Sequence, residues 1–336
     1  MPESVHSYRA GPVEIGHAQG GRYPPGAIDP QAVDGVCGTA IGWRRALTIE
    51  CCIDRPDGRR LRVLEQGAPD APVWIYLHGL PGSADEARLP EAVAEKVRLL
   101  AFDRPGFGGS TSCPEYTLAM LAEDIGAIAD AYSVPTIRLL GFSAGGLFAL
   151  AAARVLGERV SRMVSVGAPA LHWLDDPDRE AAALTAGAWQ GARDNPAQLA
   201  ESLTALTGDG ATLQEAMRSS LSAEDLAVLD ESDTKHRFAQ TMTQATRQGP
   251  ATSASALSRE LQLMVSPWRY ELETLPASVN FIHGDSDQLL TVRHLEALHQ
   301  SCPHSRAVIL PGEGHYSPLL GPGASALWTD WILENA

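Results

Sequence analysis

Residues 137–156 read IRLLGFSAGGLFALAAARVL, and this stretch decides the fold. Residues 137–141, which are mostly apolar, predict a strand, and Ala144 to Leu156 predict a helix. Between them lies Gly-x-Ser-x-Gly, centred on Ser143. Small flanking residues permit a sharp strand-to-helix turn that lifts the serine hydroxyl clear of the sheet, and the first amides of the helix point at the same spot. The pattern predicts a nucleophilic Ser143, with an ordinary glycine- and serine-rich loop as the alternative.

Strand and helix patterns alternate on both sides of this stretch. Residues 73–77 are a continuous apolar run and 97–102 are apolar apart from Arg98, as in strands buried inside a parallel sheet. Apolar residues then recur at helical spacing over 118–132, and 160–166 form another strand-like run. Upstream, two short runs joined by Asp54-Arg55-Pro56-Asp57-Gly58 predict a hairpin. The alternation predicts an α/β fold with a mostly parallel central sheet covered by helices on both faces.

The alternation stops near residue 171 and resumes only with strand patterns at 279–282 and 307–310. The intervening sequence is rich in Ala, Leu, Gln and Glu, which predicts helices inserted into the core. Breaks between these helices are predicted at 194–196, 208–210 and 249–250. These patterns predict four segments: an irregular N-terminal extension (1–45), the first part of the α/β core (46–170), a helical insertion (171–270) and the second part of the core (271–336).

Polar residues follow the last two predicted strands. Asp285 and Asp287 come just after the first of these strands, and His315 comes after the second. Because the carboxyl ends of parallel strands share one sheet edge, these side chains can reach Ser143. A serine–histidine pair needs a carboxylate that fixes the histidine tautomer, and either aspartate could supply it. The alternatives are solvated loop carboxylates or a helix cap; His283, at the end of its own strand, is read as a packed, hydrogen-bonded residue.

A loop rich in glycine and proline, His78-Gly79-Leu80-Pro81-Gly82, directly follows the strand at 73–77. Acyl transfer needs backbone N–H donors aimed at the oxygen that becomes negative. The amide of Leu80 is one predicted donor, and the amide of Ala144 is the second. An ordinary strand-ending turn is the alternative interpretation of the loop.

Taken together, the order Ser143, aspartate, His315 resembles the α/β-hydrolase fold superfamily, and within it the branch of serine esterases and epoxide-hydrolase-like proteins with a helical cap. The resemblance covers about residues 46–336. It rests on four segments: the His78 to Gly82 loop, Asp103 to Ser110, the Ser143 turn, and Gly284 to Asp287 with Gly314-His315. In that family the acid lies three residues after the glycine, which selects Asp287 over Asp285. Serine at the turn argues against epoxide hydrolase or dehalogenase chemistry.

The resemblance implies a serine hydrolase that cleaves an ester, thioester or related acyl bond through an acyl-enzyme. Cleavage of C–C bonds, acyl transfer or a lyase reaction by the same residues is the alternative, and a ligand-binding receptor or scaffold on this fold is the alternative of another class. Candidate substrate-binding residues are His78, Phe142, Trp173, Trp189, Phe238 and Trp268. The aromatic residues among them are equally consistent with core packing.

The amino-acid composition limits which classes of ligand and partner this protein is expected to bind. The 336 residues carry 26 basic and 41 acidic side chains, a formal charge of −15, which disfavours nucleic acid and anionic membranes. The two lysines, Lys96 and Lys235, do not follow a glycine, so no phosphate-binding loop is present. Five scattered cysteines suggest neither a disulfide framework nor a zinc site. We expect no cofactor, no membrane span, a cytoplasmic location and a small-molecule substrate; a homo-oligomer is left open.

Overall fold

The computed structural model describes most of the chain from residue 36 onward. The described residues are 36–43, 46–268, 270–275, 277–321, 324 and 327–333, with the backbone alone described before residue 48. Most of the predicted N-terminal extension, 1–45, lies outside them. Its part from Val36 to Trp43 forms a strand, β1, which corrects the prediction of irregular structure there. Antiparallel pairing with the next strand of the chain holds it along its whole length, from Val36 opposite Ile53 to Trp43 opposite Ala46. Backbone pairing of this kind does not need a regular alternation of apolar side chains in the strand itself.

The described residues form one nine-stranded sheet in the order β1-β2-β3-β5-β4-β6-β7-β8-β9. Strands β1 to β3 pair in antiparallel fashion, as does β3 with β5, and all the remaining pairs are parallel. The predicted hairpin is therefore β2–β3. After β1 the strands are β2 (Ala46–Asp54), β3 (Arg60–Gly67), β4 (Val73–Leu77), β5 (Arg98–Phe102), β6 (Ile137–Phe142), β7 (Val160–Val166), β8 (Ser278–Gly284) and β9 (Arg306–Leu310).

The central strands are buried because helices cover both faces of the sheet. All five residues of β4 and of β5 are buried, whereas the edge strand β9 leaves Ile309 44% exposed. Outside the insertion the helices are α1 (Leu118–Ala131), α2 (Ala144–Leu156), α9 (Arg293–Ser301), α10 (Ser317–Leu320) and a π-helical segment (Leu327–Leu333). Helix α2 buries every residue from Ala144 to Ala153, so the serine turn is anchored in the core.

Between β7 and β8 the described residues form six α-helices, after a short 3-10 helix at Pro177–Glu180. They are α3 (Ala183–Asp194), α4 (Pro196–Leu206), α5 (Gly210–Arg218), α6 (Ala223–Leu229), α7 (Ser232–Ala245) and α8 (Pro250–Val265). The predicted breaks fall at their ends because those residues cap helices: the side chains of Asn195 and Asp209 accept hydrogen bonds from amides of the following turn. Within the described part of the chain, no helix is both long enough and apolar enough to cross a bilayer.

Candidate active site

Ser143 occupies the turn between β6 and α2. Its backbone has φ 52° and ψ −126°, a left-handed conformation that is costly for a residue with a side chain. A backbone hydrogen bond of 2.7 Å, donated by the Ser143 amide to the carbonyl of Val166, holds the turn against β7. Strain of this kind costs about 1–3 kcal/mol and persists only where the surroundings enforce it.

The glycines around Ser143 allow this turn to close. A side chain on Gly141 would overlap with the backbone of Gly145, and one on Gly145 would overlap with the carbonyl oxygens of Leu77 and His78 at the end of β4. Since backbone atoms on both sides are fixed by the sheet and by α2, no neighbour can give way. The Gly-x-Ser-x-Gly pattern therefore follows from close packing of strand, turn and helix.

His315 and Asp287 meet at the same sheet edge, on the loops that follow β9 and β8. The His315 Nδ1 atom lies 2.7 Å from Asp287 Oδ2, and both residues are buried. Asp287 Oδ1 accepts hydrogen bonds from the amides of Leu289 (2.8 Å) and Leu290 (3.0 Å). One carboxylate oxygen is thus fixed by backbone, and the other faces the imidazole.

His283 is a second histidine beside Asp287. Its Nε2 atom lies 3.0 Å from Asp287 Oδ2 and 2.8 Å from the carbonyl oxygen of Leu290, in line with its interpretation as a packed, hydrogen-bonded residue. Asp285, by contrast, is exposed and accepts a hydrogen bond of 2.7 Å from the Gly312 amide. The structure therefore pairs Asp287, not Asp285, with His315.

The imidazole of His315 lies beside the Ser143 turn. It packs against Phe142, with 5.0 Å between ring centroids, and its Cε1 would be 3.1 Å from a Cβ on Gly167. Gly167 follows Val166, whose carbonyl oxygen accepts the hydrogen bond of the Ser143 amide. Among the hydrogen bonds of the described residues, none joins the Ser143 hydroxyl to His315. Catalytic hydrogen bonds are often long before substrate binds, so this geometry remains compatible with proton transfer.

Each of these two side chains favours the charged form of the other, which shifts the pKa values of both. Burial raises the pKa of Asp287, but the charge of His315 and hydrogen bonds from His283 and His315 outweigh burial and keep that pKa below its ordinary value. Burial lowers the pKa of His315, but the charge and hydrogen bond of Asp287, with the charges of Asp225 and Glu86, raise it above its ordinary value. Because an ionised Asp287 can only accept, neutral His315 carries its proton on Nδ1, and Nε2 is free to accept one.

The loop after β4 carries the predicted Leu80 donor, and Leu80 and Ala144 line the same cavity as Ser143. Arg104 holds this loop in place: its guanidinium donates hydrogen bonds to the carbonyl oxygens of His78 (2.6 Å) and Gly79 (3.0 Å). The same guanidinium binds Glu260 of α8 at 2.6 and 2.8 Å, and both side chains are almost fully buried. An ion pair therefore joins the insertion to this loop.

Glu86 lies under the same loop. Its Oε2 atom accepts hydrogen bonds of 2.7 Å from the Gly79 amide and from the Tyr76 hydroxyl. Burial raises the pKa of Glu86 to about 7, against the opposing effect of these bonds and of the Arg104 and His315 charges. Glu86 thus fixes the direction of the Gly79 peptide, one residue before Leu80.

Ser143 opens into a cavity of about 100 Å³ between the core and the insertion. Helices α3, α4, α5 and α8 contribute to its walls, so the insertion covers the serine. Among the described residues that line it, only Ser143 and Thr185 carry a hydroxyl group, Trp189 adds an indole N–H, and no side chain is charged. Its walls include Trp189, Leu203, Leu213, Met217, Leu257 and Leu261.

Of the predicted substrate-binding residues, the structure places only Trp189 in this cavity. His78 is fully buried under the loop, where Nδ1 lies 2.7 Å from the Gly79 carbonyl oxygen and Nε2 accepts from the Arg104 amide. Phe142 and Phe238 pack on Tyr316 as core.

Outside the cavity, Trp268 stacks on His172, and Trp173 packs edge-to-face against both rings. The structure does not bring these five residues into the cavity that holds Ser143, and aromatic side chains fill the core as readily as they line a site.

No set of three or more His, Cys, Asp or Glu side chains in the described ranges is arranged to hold a metal ion. Three carboxylates that shape the site, Glu86, Asp225 and Glu260, escaped the sequence analysis. Each belongs to a segment without a distinctive motif and reaches its partners through tertiary structure. Asp225 has one weak signal, since Ser222-x-x-Asp225 is a helix-start pattern, but that pattern does not point toward His315.

Comparison with known proteins gives the family. A family model described as the alpha/beta hydrolase fold matches residues 72–322. Epoxide hydrolase A of Mycobacterium tuberculosis is 32% identical over 131 residues, which span 37% of this chain and only 40% of that relative.

Solved structures match far more of the chain. A hydrolase from Pseudomonas aeruginosa PA01 aligns with a TM-score of 0.61 at 24% identity, over 83% of this chain and 97% of that one. 2-hydroxy-6-oxo-6-phenylhexa-2,4-dienoate hydrolase from Rhodococcus sp. strain RHA1 aligns with a TM-score of 0.63 at 19% identity, over 86% and 98%. These likenesses confirm the predicted fold class. Because the family model covers most of the chain, this protein belongs to the α/β-hydrolase fold family.

Proposed function

We propose that this protein is a serine hydrolase that cleaves a carboxylic ester, or a related acyl bond, of an uncharged small molecule. The observation that carries the proposal is the position of Ser143, which sits on a strained turn, in a cavity, beside a histidine whose Nδ1–H is held by a buried carboxylate. The match to the alpha/beta hydrolase fold supports the same reaction class.

In the proposed reaction, His315 Nε2 takes the proton of the Ser143 hydroxyl as Oγ attacks the acyl carbon. The amides of Leu80 and Ala144 stabilise the oxyanion, and Asp287 stabilises the imidazolium. His315 then gives its proton to the leaving alcohol, and an acyl-Ser143 ester remains. Water, deprotonated by His315, attacks that ester and releases the acid and the free serine.

The serine favours acyl chemistry over epoxide opening. A nucleophile that opens an epoxide becomes joined to it through its own oxygen. If the nucleophile is a carboxylate, the product is an ester that water can hydrolyse, but Ser143 would be left as an unreactive ether. The similarity to an epoxide hydrolase is therefore a similarity of fold and ancestry in this proposal, and the substrate is an acyl compound.

The cavity supports an uncharged, apolar acyl group. Burying a carboxylate without a partner is very costly, and no charged side chain of the described residues lines the cavity. In this respect the proposed substrate differs from the dienoate in the name of the Rhodococcus structural relative, which is an anion. A volume of about 100 Å³ favours short acyl chains unless the insertion moves.

The decisive experiment is covalent labelling by a fluorophosphonate probe, with the adduct located by mass spectrometry. Phosphonylation needs an accessible hydroxyl, a base and oxyanion donors, so we expect one adduct, on Ser143. Labelling should vanish in Ser143→Ala and fall sharply in His315→Ala. Because His315 must be neutral to accept a proton and its pKa is raised, the rate should fall with decreasing pH at a midpoint above that of an ordinary histidine.

Other outcomes separate the alternatives. An adduct on another serine would refute the assignment of Ser143, and a folded protein that is never labelled would be a receptor or scaffold. Labelling at Ser143 without turnover of short neutral esters would leave C–C cleavage, acyl transfer or a lyase reaction by the same residues. Faster turnover of esters with an anionic acyl chain than of neutral ones would overturn the substrate class.

Trp189 should control the choice of acyl chain. Trp189→Leu enlarges the cavity, so kcat/KM for long relative to short p-nitrophenyl esters should rise by about tenfold to a hundredfold, since each methylene in an apolar pocket is worth about 1–3 kcal/mol. The matched control is Trp173→Leu, because Trp173 packs edge-to-face against His172 outside this cavity. Equal shifts in the two variants would show that the cavity around Trp189 does not hold the acyl chain.

A further inference from the structure

Asp225, in helix α6 of the insertion, binds the loop that carries His315. Its Oδ2 accepts a hydrogen bond of 2.8 Å from the His315 amide, and its Oδ1 accepts from the amides of Tyr316 (2.7 Å) and Ser317 (3.0 Å). The carboxylate is fully buried. Thus 90 residues along the chain from His315, the insertion supplies three acceptor contacts to its backbone.

This contact is specific in shape as well as in charge. The Asp225 carboxylate fills the space where a side chain on Gly314 would lie, so the loop passes directly over it. The Asp225 amide is itself held by Ser222 Oγ at 3.2 Å, which fixes the start of α6. A buried carboxylate without hydrogen bonds costs several kcal/mol, so the three loop amides and Asp225 depend on one another for their positions.

We propose that Asp225 is a positioning residue for His315, through which the helical insertion holds the imidazole in line with Ser143. The proposal rests on the proposed function only in taking His315 as the base. It assigns the insertion a second role besides covering the cavity: without Asp225 the His315 loop would lose the partners of three consecutive amides.

Asp225 also acts on the imidazole through its charge. The charged groups that face His315 are Asp287 from the loop after β8, Asp225 from α6 and Glu86 from the loop after β4, and all three raise the pKa of His315 against the effect of burial. The neighbouring Tyr316 ring packs at 5.5 Å from the imidazole. Removing the Asp225 charge should therefore lower the pKa of His315 and move the acid limb of activity toward lower pH.

The test is Asp225→Asn, measured as the second-order rate constant of fluorophosphonate labelling at Ser143 against pH. An amide at this position keeps the size but turns one acceptor into a donor that faces backbone N–H groups. We expect the plateau rate to fall about tenfold to a hundredfold, the cost of displacing a catalytic group by a fraction of an ångström to an ångström. The acid limb should move to lower pH, which loss of structure alone would not produce.

The matched control is Asp230→Asn, which removes the same charge from the end of the same helix. Asp230 is exposed and pairs with Arg218 at 3.0 Å, so the rate and the pH profile should stay as in the wild type. If Asp225→Asn does not fold, as judged by circular dichroism, Gly314→Ala replaces it. The new methyl group would push the carboxylate away while keeping its charge, so the plateau should fall and the acid limb should stay in place.

The outcomes are distinct. A folded Asp225→Asn protein with wild-type plateau and acid limb would overturn the positioning role while leaving the proposed function intact. A Gly314→Ala protein that labels like the wild type would overturn it as well. Failure of the proposed function would appear separately, as absence of labelling in the wild-type protein or as indifference of labelling to His315→Ala.

Discussion

Asp287→Asn should lower kcat by about 10⁴-fold, the cost of a wrong histidine tautomer. The structure gives the reason. The amides of Leu289 and Leu290 select oxygen at the Oδ1 position, so the new NH₂ group must face His315. That group can only donate, so Nδ1 of His315 becomes an acceptor and its proton moves to Nε2. The imidazole then presents a donor to Ser143 and cannot act as a base.

The measurement is kcat for a short neutral p-nitrophenyl ester, with circular dichroism to verify the fold. The control is Asp285→Asn, two residues away on the same loop. Its amide oxygen can still accept from Gly312, and its side chain is exposed, so we expect little change in kcat. If Asp285→Asn were the more damaging change, the assignment of the acid would be wrong.

Gly145→Ala should destabilise the protein by about 4 kcal/mol or more, within the range seen when a substitution forces atoms into fixed backbone. The methyl group would overlap with the carbonyl oxygens of Leu77 and His78, which end the central strand β4. Relief would require α2 to move away from the sheet. Since whole domains are stable by only about 5–15 kcal/mol, much of this protein should be unfolded or aggregated.

Urea denaturation followed by circular dichroism gives the comparison. Gly187→Ala is the control, because Gly187 lies exposed inside helix α3 and a methyl group there meets nothing within 4 Å. Alanine in a helix interior is better than glycine by about 0.5–1 kcal/mol, so this variant should be slightly more stable than the wild type. Equal stability of the two variants would mean that the turn is less tightly packed than the structure shows.

The sequence revealed those parts of the site that depend on local packing. The Ser143 turn was recognisable because its glycines are required by atoms within a few residues or in the adjoining strand. His315 and Asp287 were recognisable because each directly follows an apolar run, and parallel strands bring such positions to one edge. The fold class followed from the same alternation of strands and helices.

The remaining features depend on contacts between distant segments. Asp225 meets the His315 loop, and Glu260 meets Arg104, across 90 and 156 residues. Their neighbours in sequence give no sign of these pairs. Most of the leucines and methionines in the cavity walls were missed for another reason. They have the same helical spacing as leucines that fill a core, so only their three-dimensional position distinguishes them.

The buried ion pair of Arg104 with Glu260 constrains how a substrate reaches Ser143. If α8 moved away from the core as a rigid body to admit substrate, Arg104 and Glu260 would separate. Breaking a buried ion pair costs about 3–5 kcal/mol. The open form would then be populated at about one molecule in 10² to 10⁴, since each 1.4 kcal/mol is a factor of ten. Leu184 of α3 lines the cavity and is also 42% exposed, so the cavity meets solvent at that point. We expect substrate to enter and product to leave beside Leu184. In this route α8 does not move, and residues of α3 line the entrance to the cavity.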